Sequence, residues 1–173
     1  MSLFNQILNA IDNPEKEAST NQLGSILDTV QQLSGNYQTN PSAINSAMSI
    51  VGKYTRSALQ QQRSQGGTSQ VNQILNQFGG NQASTQALAT LFGSSQLQSM
   101  VAQISGRTGL NAGTIQTMLP ILVPLVLNLL RTGNNKTNIQ GNNPVLNSFL
   151  DTDGDGDVDL SDVMNMASRH LGR

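Results

Sequence analysis

The chain has no cysteine and no tryptophan. The first absence excludes disulfides, thiol chemistry and zinc–thiolate sites. The second, with only four Phe and two Tyr, leaves any core to Leu, Ile, Val, Met and Ala. Charge is also scarce. Asp, Glu, Lys and Arg make up 11% of the 173 residues, against about 25% in ordinary globular chains. Between Asp28 and Asp151 there is no carboxylate at all, and the one histidine is His170. Enzymes need positioned acids, bases or nucleophiles, and Ser and Thr here have no base beside them. No phosphate-binding glycine-rich loop is present, so catalysis is not expected. The first residues lack a positive n-region and a long apolar core, so no signal peptide is read and the expected compartment is the cytoplasm.

Long hydrophobic runs are missing too. The most apolar stretch, residues 118–130, is interrupted by Pro120, Pro124 and Asn128, whereas a membrane-spanning helix needs about 20 apolar residues. It reads as a buried core helix, and a membrane partner is not expected. Lys53, Arg56, Arg63, Arg107, Arg131 and Lys136 make the body weakly basic. They are scattered without aromatic company, which argues against nucleic acid.

In place of charge the chain carries Asn and Gln, roughly a fifth of its residues. They interleave with apolar residues at helical spacing and read as an uncharged, solvated helix face. No strand pattern competes, so the fold class is all-α. The length suggests one domain plus an appendage.

The body, residues 1–133, reads as a duplicated helical hairpin with pseudo-repeats of about 1–66 and 67–133. Residues 32–35 align with 103–106, and without a gap Asn40 then meets Asn111, Ile44 meets Ile115, Ile50 meets Ile121 and Leu59 meets Leu130. Residues 5–9 recur as 72–76. Gly35 and Gly106 are expected to end helices in the left-handed conformation. Asn40 and Asn111 are expected to cap the next helices, with Pro41 at the first helical position.

In the first unit Ile44, Ala47, Met48, Val51, Ala58 and Leu59 form one apolar stripe, with Lys53, Arg56 and residues 60–62 mostly off it. The counterpart helix, residues 111–131, is apolar on most faces and should sit at the centre. A kink or break is expected at Pro120 and Pro124. Residues 63–69 read as a flexible connector, and residues 134–142 as the linker to a C-terminal unit of residues 143–173.

That unit contains the densest chemistry in the chain. A calcium loop needs oxygen ligands at its positions 1, 3, 5, 7, 9 and 12, with Gly at position 6 for the sharp turn. Asp151, Asp153 and Asp155 fill the first three, Gly156 the sixth, and Asp157, Asp159 and Asp162 the rest, Asp157 through its backbone carbonyl. Six carboxylates in so short a span repel one another unless a cation neutralises them. Ca²⁺ suits the set better than Mg²⁺, which prefers rigid octahedral sites and keeps its waters.

Val145, Leu146, Phe149 and Leu150 can line an incoming helix that starts at Asn143 and Pro144. Leu160, Val163, Met164, Ala167 and Leu171 can line an outgoing one. This is the helix–loop–helix context the motif requires. Aspartate at position 12 makes the loop dockerin-like, but a dockerin carries two loops and this chain has one, which argues against cohesin-type docking. A lone EF-hand leaves its apolar face without a partner hand. It therefore packs on the body or pairs with a second copy; a homo-oligomer would form through the unpaired hand or the apolar helix.

Residues 91–132 resemble the YidB-like domain-of-unknown-function family of bacterial helical proteins. The resemblance is carried by residues 97–106, 108–111 and 114–126, a helix, a loop with Thr108, Gly109 and Leu110, and an apolar helix with Leu119 and Pro120. It implies an all-helical bacterial domain, often ending in an acidic tail, and implies no activity. The expectation is a non-enzymatic calcium-binding protein, either a sensor or a calcium-stabilised interaction module. The alternative is a self-associating helical scaffold in which calcium only stabilises.

Overall fold

The computed structural model describes residues 3–12, 20–79, 83–131, 144–150 and 169. These residues are helical or lie in the short turns between helices, and no strand occurs among them. Among the described residues seven helices follow one another: α1 (Leu3–Asp12), α2 (Thr20–Asn36), α3 (Pro41–Phe78), α4 (Thr85–Leu91), α5 (Ser94–Thr108), α6 (Ala112–Arg131) and α7 (Pro144–Leu150). The all-α expectation holds for them.

The helix starts were legible. Asn40 stands in extended backbone ahead of α3, and its Oδ1 accepts from the Ala43 N–H at 2.8 Å. Asn111 does the same for Thr114, at 2.7 Å. Pro41 opens α3, where its missing N–H is not needed.

The helix ends correct the sequence reading. Gly35 lies inside α2 and Gly106 inside α5. The left-handed residues come three positions later, at Gln38 (φ 52°) and Gly109 (φ 77°). At the end of α2, Thr39 donates to the Ser34 carbonyl at 2.9 Å and Gln38 donates to that of Gly35 at 3.3 Å. This pair of bonds is a Schellman motif, which satisfies carbonyls that the helix itself cannot. At the end of α5 a single bond runs from the Gly109 N–H to the Ser105 carbonyl at 2.9 Å.

The expected connector at 63–69 is a kink at which two helical stretches of α3 meet: only Gly67 leaves helical backbone, at φ 76° and ψ −176°. Only glycine visits that region readily.

α6 is the centre, as its all-round apolar character requires. Helices α2, α3, α4, α5 and α7 all pack against it. Met118, Leu119 and every residue from Leu122 to Leu130 are buried. Of the kink or break expected at the prolines, the break does not occur: α6 continues through both. Pro124 has no N–H to offer the Pro120 carbonyl one turn back. The Ser84 N–H, at the cap of α4, takes its place at 2.8 Å. The proline thus turns an internal hydrogen bond into a link between helices.

Among the described residues α6 is the one helix long and apolar enough to cross a membrane, and 67% of that stretch is buried inside the fold. Its one interior amide, Asn128, accepts from Gln22 Nε2 of α2 at 2.7 Å. Its last residue, Arg131, donates to the Gly79 carbonyl at the end of α3, at 3.1 Å. The backbones are close there. A β-carbon on Gly79 would lie 3.4 Å from the Asn128 nitrogen and 2.4 Å from the Leu75 carbonyl oxygen.

Candidate metal site and its anchoring helix

Asp151, Asp153, Asp155, Asp157, Asp159 and Asp162 lie outside the described residues, as do Gly156 and His170. So do the linker at 134–142 and the outgoing apolar residues Leu160, Val163, Met164, Ala167 and Leu171. Among the described residues no group of three acids or histidines is arranged to hold a metal ion.

What is described is the helix that leads into the acidic run. α7 is described from Pro144 to Leu150, the residue before Asp151. Its spacing puts Val145, Leu146, Phe149 and Leu150 on one face, and all four are buried, at 2% exposure or less. They pack against α1, α6 and α3. Burial of this face holds α7 against the body.

Two side chains of α3 meet the far end of α7. Gln60 donates through Nε2 to the Leu150 carbonyl at 2.6 Å. The Arg56 guanidinium lies 4.9 Å from the centre of the Phe149 ring, a distance at which a cation is attracted by the ring face. Arg56 is only 7% exposed. This corrects the sequence reading, which placed it off the apolar stripe of α3. The six stripe residues themselves are buried as expected.

Neither Arg56 nor Gln60 was marked as functional in the sequence. The available signal was their spacing of four, which places both on one face of a helix; nothing local identified α7 as what that face meets.

Among the described residues a groove of about 490 Å³ is lined by Ser25, Asp28, Thr29, Gln32, Leu33, Asn36, Ala83 and Ile121. Asp28 is its one charged group, with hydroxyls and amides around it. Inside the core, Thr55 Oγ1 and both amide atoms of Asn72 are buried without a hydrogen-bond partner among the described residues.

No protein-family model matches the chain, and no curated protein or solved structure matches it either.

Proposed function

We propose that this is a non-enzymatic calcium-binding protein whose ion is held by Asp151, Asp153, Asp155, Asp157, Asp159 and Asp162. One observation carries the reading. These carboxylates stand at calcium-loop spacing around Gly156 in a chain that has none from residue 29 to 150. Such a density of like charge requires a cation to offset it. What supports the reading is that a helix with one buried apolar face, described up to Leu150, stands ahead of the acidic run, as an EF-hand requires.

The same proposal includes a duplicated body of YidB-like type, residues 1–133, joined to a single EF-hand-like unit, in a soluble cytoplasmic protein. Asn40 and Asn111, and then Gln38 and Gly109, stand at one common offset between the two halves. That agreement in cap and in left-handed residue supports the duplication. The apolar side chains of residues 118–130 are largely consumed in the core, so any self-association falls to the unpaired hand.

Isothermal titration with Ca²⁺ tests the function. The wild type should take up calcium, and Asp151→Ala combined with Asp153→Ala should abolish the heat. A flat wild-type titration in millimolar calcium sinks the proposal. Size-exclusion chromatography with and without chelator separates the alternatives, since a scaffold would keep its oligomeric state in both.

A further inference from the structure

We infer that Gly67 is an exchange hinge: when α3 straightens there, two copies of this chain trade halves and form a dimer. The partner is a second copy of the same chain. The inference goes beyond the calcium reading and does not depend on it.

α3 consists of two helical arms that meet at one non-helical residue, Gly67, at φ 76° and ψ −176°. A side chain there is strained by the backbone alone, because a β-carbon on Gly67 would meet nothing within 4 Å. Around the hinge the helix is bare. From Gln60 to Gln70 no residue is buried, whereas Leu59 and Val71 at either edge of that stretch are. Gln70 donates to Gln62 across the bend; along a continuous helix those positions would stand about 12 Å apart. Bringing one residue to helical geometry therefore straightens α3 at a point where no core side chain sits.

The hinge falls at the boundary of the two proposed repeats, 1–66 and 67–133. The halves on either side are held by contacts between them. Gln103 of α5 donates to the Tyr54 hydroxyl of the first arm at 2.7 Å. Gln22 of α2 donates to Asn128 of α6 at 2.7 Å, and α1 packs on α7. The same half of a second copy can make each of these contacts, which is the condition for exchange between protomers. A straight α3 keeps Leu59 and Val71 about 18 Å apart, so the two rebuilt lobes lie at the ends of a pair of bare helices. No surface of the finished monomer is used. The unpaired hand joins finished copies from outside, whereas exchange joins copies through contacts that each already has. The balance is set at the hinge: the bend needs glycine at 67, and Gly66 and Gly67 weaken the continuous helix.

Two substitutions push the forms in opposite directions. Gly67→Ala strains the bend and favours the continuous helix. Thr68→Pro does the reverse, because proline suits the first position of the second arm but breaks the ladder of a continuous helix. Each protein is refolded from denaturant over a range of concentrations, in chelator, and its mass is read by light scattering after size exclusion. The wild type should be mainly monomer, with a dimer that grows with refolding concentration. Gly67→Ala should dimerise about 100-fold more tightly, tenfold for each of the two hinges, and Thr68→Pro should stay monomeric. The chain has no cysteine of its own, so Tyr54→Cys with Gln103→Cys, joined by a short bismaleimide, reports where the halves meet. On a denaturing gel the Gly67→Ala dimer should run at twice the chain mass and the wild-type monomer at one. A folded Gly67→Ala that stays monomeric, or a dimer cross-linked only within each chain, overturns the inference. If Gly67→Ala does not fold, wild type and Thr68→Pro decide: equal dimer content in the two, none included, overturns it, and dimer in the wild type alone upholds it.

Discussion

At the scale of single residues, the ends of α2 and α5 carry a test of sign. Gln38 holds a left-handed conformation that a non-glycine side chain enters at a cost of about 1–2 kcal/mol. Gly35, three positions earlier, is helical, and a β-carbon there would meet nothing within 4 Å. Gln38→Gly should therefore raise stability by about 1 kcal/mol, seen as a melting temperature higher by roughly 2–4 °C. Gly35→Ala should also stabilise, by about 0.5–1 kcal/mol, because alanine suits a helix better. Were Gly35 itself the left-handed residue, alanine there would lower the melting point.

The asparagine caps at 40 and 111 were legible because their chemistry is local: a short side chain, a backbone donor and a helix start. The left-handed positions were not, because glycine marks permission and not necessity. The Schellman bonds at α2 are made by backbone groups, and a glutamine can stand among them.

At the scale of elements, the linkage between α4 and α6 depends on what Pro124 lacks. Ser84 is tied at both ends of its residue: its N–H donates to the Pro120 carbonyl and its Oγ accepts from Ala87 at 3.2 Å. Ser84→Ala removes the cap and should cost about 1 kcal/mol in chemical denaturation. Pro124→Ala would return an N–H to α6 and let the Pro120 carbonyl bond within its own helix. The Ser84 amide should then exchange faster with deuterium while α6 stays helical; unchanged exchange at Ser84 would show that the proline is incidental.

The amphipathic stripe of α3 and the central place of α6 could be read from periodicity, since burial follows the apolar face. The narrowness of the break within residues 63–69 could not. Glycine and polar residues there look like a longer connector, but the two helical stretches of α3 run up to Gly67 from either side and only that residue leaves helical geometry. The dense spacing of six aspartates was equally legible. Gln60 was not, because the group it bonds lies 90 residues away in sequence and only the fold brings them together.

At the scale of the whole molecule, α7 closes the structure. Its four buried side chains fill space between α1, α3 and α6, and α1 lies at the opposite end of the sequence. Phe149→Ala should cost about 3–5 kcal/mol, the usual toll of emptying a buried aromatic site. Contacts between segments so far apart form late, after the entropy of bringing them together has been met. The loss should therefore appear mainly as faster unfolding, with the refolding rate in a stopped-flow chevron little changed. A slowed refolding limb would instead place α7 in the nucleus.

Late closure has a further effect on the life of the chain. Until α7 arrives, the faces of α1 and α3 that it will cover stand open to water, and so do its own leucines and phenylalanine. A newly made or partly unfolded copy is then the sticky form, and crowding with other such copies is the hazard the finished molecule has shed.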